Sequence, residues 1–296
     1  MKRAAMVMVV LGMCSWSFGQ SGSGQSKDKP AAQNAAAGQT TPATGQAAAP
    51  QGKRPPAAKT QPEFEAYKAA VAQTDPAALE KAADDFATKF PDSELRGPLY
   101  TAAMGRYQQA NSADKMVAMA RKVLAIDADD PAALVGVAQA LTEQTRDADL
   151  DKDQKIVEAK KDAERALVTI DTDVPTSGYS PEQINGFKGF VRSEAYVILG
   201  TISFKASNWA DAEMNLRKSI DALPQQPDPL AVFRLAVALD MQNKLPEAMK
   251  FVDQAVDLTK DRPDAGVGKA ARDEKDRLTK LSGGTAPGAT AAPPKN

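Results

Sequence analysis

The sequence predicts an all-α fold: about five antiparallel helix pairs stacked in a row, closed by a C-terminal capping helix. Three observations carry this. Between Pro62 and Leu281 the chain is rich in alanine and places apolar residues at i, i+3, i+4 and i+7, without alternating β-branched runs. Short turn signals interrupt that pattern at Thr74-Asp75-Pro76, Asp130-Pro131, Asn208, Pro224, Asp228-Pro229 and Pro263, so helices of about 13 residues fold back on their neighbours. Finally, Tyr196, Leu199-Gly200, Ala212, Leu216 and Ser219 are matched by Val232, Leu235-Ala236, Ala248, Val252 and Ala255, each 36 residues further on, and such self-similarity marks a repeat architecture.

The two ends differ from this middle. Residues 1–19 read as a secretory signal, with Lys2 and Arg3 ahead of the apolar run Ala4 to Met13 and a small-x-small site at Ser17-Phe18-Gly19. Ten apolar residues make only about 15 Å of helix, half of a bilayer core, so cleavage is expected rather than anchoring. Cys14 also stands in a setting like that of lipid attachment, but Met13 occupies the place of the usual small residue. From Gln20 to Pro62 there is no Leu, Ile, Val, Met, Phe, Tyr or Trp, and a stretch that cannot bury apolar surface stays disordered. Residues 20–61 are therefore expected to be a disordered linker, 62–282 the helical domain, and 283–296 a disordered tail.

Within the domain the first pair, Glu63 to Gln73 and Pro76 to Lys89, holds Phe64, Tyr67, Phe86 and Phe90 and lacks the small-residue pattern, so it is expected to be an atypical leading unit. The second carries Tyr100, Met104, Tyr107, Met116, Ala120, Val123 and Ile126; the third opens with Leu134, Ala138 and Leu141 and closes with Ala159, Ala163 and Ala166 after a nine-residue insertion. An irregular segment, Asp171 to Gly189, then introduces a bend, although Ser180-Pro181-Glu182 is a good helix start and lets the fourth unit's first helix begin early. Gly186 and Gly189 weaken that extension. The fourth and fifth units span 193–226 and 229–262. Small residues at Gly200, Ala212 and Ser219, as at Ala236, Ala248 and Ala255, permit close helix approach. Asp264 to Leu281 is charged on most faces, which suits a solvating cap.

In these residues the chain resembles the tetratricopeptide repeat family, and the run SEAYVILGTISFKASNWADAEMNLRKSIDALP follows the family pattern nearly throughout, departing mainly at Ser203, where a tyrosine is typical. The resemblance implies a right-handed solenoid of helix pairs. It also implies a concave groove, lined by each pair's first helix, that holds a peptide. Carried over to this sequence, the groove positions are Thr101, Gly105, Gln108, Val135, Gln139, Thr142, Val197, Thr201, Phe204, Lys205, Phe233, Val237, Asp240 and Met241. The Lys and Asn pairs with which some members clamp a terminal carboxylate are absent, so an apolar groove anchored around Phe204, Phe233 and Val237 is expected, for a hydrophobic or amphipathic segment. Phe204 and Phe233 have a competing role in packing against neighbouring helices, and Trp209 is expected to pack at the inter-helix turn.

Composition narrows the chemistry. The 296 residues include 37 Lys+Arg, 38 Asp+Glu, one cysteine and no histidine, for a formal charge of −1, with a pI near 5.8. No histidine-based triad, base or zinc site can be built, and there is no basic excess for nucleic acid. Removal of residues 1–19 leaves no cysteine and a net charge of −3. The insertion places Asp147, Asp149, Asp151, Asp153 and Glu158 at spacings that resemble a calcium-binding EF-hand loop, but Lys152 stands where that loop needs glycine. Asp84-Asp85 and Asp129-Asp130 offer no enclosed acid–base pair, and no glycine-rich phosphate loop occurs. The expectation is a non-catalytic exported scaffold or adaptor, periplasmic or secreted, without cofactor or metal. It would bind a protein or peptide through its groove, with no nucleic acid and no stable membrane insertion after signal cleavage. The alternative is a self-associating structural or assembly subunit of an envelope complex, and behind it a calcium-dependent switch at 147–158.

Overall fold

A computed structural model describes residues 53–174, 178–264 and 266–284. The expected signal, most of the expected linker and the tail beyond Gly284 lie outside the described residues. Eleven helices are described, and no β-strand among the described residues: α1 Gln61–Val71, α2 Pro76–Lys89, α3 Arg96–Gln109, α4 Ala113–Ile126, α5 Pro131–Gln144, α6 Lys152–Thr169, α7 Pro181–Lys205, α8 Trp209–Ala222, α9 Pro229–Asp240, α10 Leu245–Leu258 and α11 Gly266–Gly284. Each helix packs on the next in sequence, and α5 also meets α7, α7 meets α9, and α9 meets α11.

The helix starts follow from local chemistry. Asp75 and Asp130 accept the amides of Ala78 and Ala133 at 2.8 Å, and Asp228 accepts that of Leu230 at 3.3 Å, each with proline as the next residue. Proline gives up no hydrogen bond at that position, and its fixed φ is already helical. Thr60 with Glu63, and Ser180 with Gln183, form reciprocal capping boxes at α1 and α7.

The turns inside three of the five pairs share one form. Asn111, Ser207 and Asn243 adopt left-handed φ values of 53°, 57° and 59°. The residue after each donates its amide five residues back, Ser112 to Tyr107, Asn208 to Ser203 and Lys244 to Leu239, all at 2.9 Å. This 6→1 bond satisfies carbonyls that a helix end leaves open. Tyr100 and Tyr196 likewise lie under Lys122 and Lys218, each 22 residues later, with ring centroids 5.0 and 5.4 Å from the ammonium.

The apolar residues gather in two cores. The first runs from Ala70 to Leu199 and includes the fully buried Leu79, Leu99, Met119 and Ile170. The second runs from Ala212 to Leu278, with Leu216, Leu235 and Leu239 at its centre. Helix α7 belongs to both: Val191, Ala195, Ile198 and Leu199 lie in the first, while Val197 and Phe204 pack on the second.

Two sequence expectations are corrected. The irregular segment ends at Ser180, because α7 runs unbroken for 25 residues through Gly186 and Gly189. Phe187 and Phe190 pack on the first core, and a β-carbon at Gly189 would sit 2.9 Å from the carbonyl oxygen of Ala222. The glycine that lowers helix propensity is the residue that close packing requires there. The C-terminal part of the expected disordered linker, residues 53–60, lies against the helices instead. Lys53 pairs with Asp127 and Asp173, Arg54 with Glu94, and Ala58 packs on the first core. Those partners stand 40 to 120 residues away in sequence, beyond any composition argument.

Candidate functional site

The first helices of the pairs, α3, α5, α7 and α9, provide the face on which the groove residues were expected. At the front of that face lies a depression of about 40 Å³. Its floor is Met104 of α3, Met116 of α4, and Val135 and Gly136 of α5; its wall is Phe187, Phe190 and Val191 of α7. Gln108, Gln139 and Glu194 supply its polar groups, and the amide of Gln139 donates to Glu143 at 3.1 Å. A β-carbon at Gly136 would lie 3.5 Å from the sulfur of Met116 and 3.6 Å from that of Met104, ordinary contact distances. The site is thus an apolar dent with amides at its edge, and two methionine sulfurs make its floor adaptable.

The structure brings Gln108, Val135 and Gln139 together there, but the back of the face is largely satisfied by the chain itself. Thr201 is 5% exposed and accepts a hydrogen bond from Arg234 Nη1 at 2.8 Å. Lys205 donates to the carbonyl of Thr142 at 2.6 Å. Phe204 stands edge-on to Trp209, ring centroids 5.4 Å apart and planes at 80°. Phe233 and Val197 are half-buried against the second core. Asp240 is ion-paired with Arg277 of α11, which also holds Glu274 at 2.8 Å. Of the expected anchors Val237 stays half-buried, and among the other groove positions Met241 is open at 54% exposure. In the front pairs Gly105 is half-buried. Thr101, Val135 and Thr142 are buried, at 8%, 5% and 2% exposure, rather than displayed as the groove reading assumed.

Charge in the back pairs is organised around two groups. Burial alone would push the Glu213 carboxyl up. Hydrogen bonds from Lys244 at 2.6 Å, Arg217 at 3.0 Å and Gln242 at 2.9 Å outweigh it and hold the carboxyl below its ordinary range. Burial lowers the Arg234 guanidinium from its usual value, against the more distant carboxylates of Asp228 and Glu143.

The acidic insertion forms the turn Thr145 to Asp151 and the first turns of α6. Its carboxylates face the chain's own cations: Asp147 meets Lys152 at 2.6 Å, Asp151 meets Lys155 at 2.9 Å, and Glu158 meets Arg121 at 2.8 Å. Asp149 accepts the backbone amide of Arg146 at 3.1 Å. Among the described residues no group of three or more potential ligands is gathered in a geometry to hold a metal ion.

Sequence reasoning passed over Met104, Met116, Gly136, Phe187, Phe190, Glu194 and Arg234 as site residues. A signal for part of this set was present. Phe187, Phe190, Val191 and Glu194 continue the helical period of α7 backwards, and following it through the glycines places them beside α5. Among the described residues no helix is long and apolar enough to cross a membrane. No family model matches the chain, and no curated protein matches it.

Proposed function

We propose that this chain is a non-catalytic scaffold or adaptor of the tetratricopeptide type, exported to the periplasm or beyond, which holds a protein segment on the face of its first helices. The observation that carries the reading is the dent between α3, α5 and α7, lined mainly by apolar side chains together with Gln108, Gln139 and the buried Glu194. Such a surface suits an apolar side chain of a partner segment whose backbone meets the amide edge. The stacked pairs supply a rigid platform for it, and the export reading rests on residues 1–19.

The test is affinity capture from envelope extract with residues 20–296, beside Gly136→Leu, which fills the dent, and Met241→Lys, which charges the open position at the back. Circular dichroism establishes that both variants are folded. The expected result is one protein retained by the parent and by Met241→Lys and lost from Gly136→Leu. Equal retention by all three overturns the site.

A second reading, self-association as an assembly subunit, is favoured by a different observation. Val157 and Val168 are 66% and 69% exposed on one face of α6, about three turns apart. A mass that rises with concentration in light scattering, abolished by Val157→Lys with Val168→Lys, is its signature.

A further inference from the structure

Residues 53–60 cross three turns that sequence keeps far apart. Lys59 donates its ammonium to the carbonyl of Asp92 at 2.7 Å, and Arg54 pairs with Glu94 at 2.5 Å, both in the turn from α2 to α3. The amide of Ala57 donates to Glu94 at 3.2 Å. Lys53 then reaches Asp127, in the turn from α4 to α5, and Asp173, at 3.1 Å, after α6. Pro55 and Pro56 lie between these contacts; they fix φ and need no amide partner, which keeps the segment extended. Eight extended residues reach about 27 Å, enough to pass successive helix layers spaced roughly 8–10 Å apart.

The geometry points to a latch: residues 53–60 tie the turns after α2, α4 and α6 into one edge, so that the first three pairs move as one body. In a stack of helix pairs each unit ordinarily touches only its neighbours, and stability is a sum of nearest-neighbour terms. A residue that precedes α1 yet grips the turn after α6 skips that order. Lys53 is the joint. Burial opposes its charge, but the hydrogen bonds and charges of Asp127 and Asp173 overcome this and raise its pKa above the usual lysine value. Asp130, which caps α5, adds a third carboxylate to its surroundings. This inference is independent of the groove, since it involves none of the residues that line it.

Two variants of the full chain test it. Asp127→Asn with Asp173→Asn removes the charges and keeps an oxygen to accept the amide of Asp129, which Asp127 now accepts at 3.2 Å. Tryptic cleavage after Lys53 follows the population of the open latch, and should quicken about ten-fold in this variant with helical content unchanged. Lys53→Gln leaves the helical body untouched. In it, hydrogen exchange at the amides of Asp127 and Asp173 should speed up about three-fold, in both turns together. Cleavage and exchange at parental rates in the two variants would overturn the latch, and so would faster exchange in one turn alone.

Discussion

The front of the molecule, α1–α6 with the first half of α7, and the back, the rest of α7 through α11, use similar helix pairs to different ends. The back holds the more regular repeats. Its small residues bring helices close, as at Gly200, where a β-carbon would lie 2.7 Å from Leu216 Cγ. Its outward polar groups are consumed internally, by Arg234 on Thr201, Arg277 on Asp240 and three donors on Glu213. The front is irregular. It is laced together by clasps in which a tyrosine and a lysine share one carboxylate: Tyr100 at 2.9 Å and Lys122 at 2.6 Å on Asp84, Tyr107 at 2.5 Å and Lys115 at 3.1 Å on Glu80. Yet the front leaves the apolar dent open. The more regular pairs thus satisfy many of their own polar groups, while the less regular ones carry the dent.

The comparison can be broken first at the cores. Leu235→Ala should cost about 3 kcal/mol, as large-to-small changes at fully buried leucines do. Hydrogen exchange should show lost protection concentrated in α8–α11. Equal loss in α2–α4 would mean that the two cores open as one unit.

A smaller effect is expected at the closest helix contact. Gly200→Ala pushes a methyl into Leu216 and should cost about 2 kcal/mol in urea denaturation, the usual scale of overpacking. Leu216→Val in the same chain should recover part of that loss. The corresponding change in the front, Gly136→Ala, meets only ordinary contacts and should be nearly neutral.

The smallest effect belongs to the front clasps. Tyr107→Phe should cost about 1–2 kcal/mol, since the hydroxyl donates to a charged carboxylate. Burial first, then the carboxylates of Glu80 and Asp84, push Tyr107 and Tyr100 up to about 12 from 10.0. A raised pKa means that the fold favours the protonated phenol. The stabilisation is complete below pH 10 and is lost as the pH climbs from there through about 12. Tyrosinate absorbance should show late-titrating residues that disappear one at a time in Tyr100→Phe and Tyr107→Phe.

Much of the fold was legible in the sequence because its signals are local. An acidic or hydroxyl cap followed by proline announces α2, α5, α7 and α9, and α2 was placed from Pro76 to Lys89, as observed. The offset of 36 residues anticipated the matching turns at Ser207 and Asn243. The packing of Trp209 at a turn was also foreseen, and Phe204 proved to be its neighbour. What stayed hidden depends on partners from other helices. Nothing near Thr201 in sequence says that Arg234 will occupy it, nor does anything near Asp240 reveal Arg277. Residues 53–60 are the extreme case, because Lys53 sits in a run whose composition argues for disorder and finds its carboxylates only once three pairs have been stacked.

The length of α7 bears on how the protein can be divided. At 25 residues it spans about 37 Å, and its residues are shared between the two cores. A chain stopped before Pro181 would strip Val191, Ala195, Ile198 and Leu199 from the first core. One begun after Lys205 would leave the second without Val197 and Phe204. The protein has two interiors but a single indivisible frame, with no seam along α7 at which to separate them.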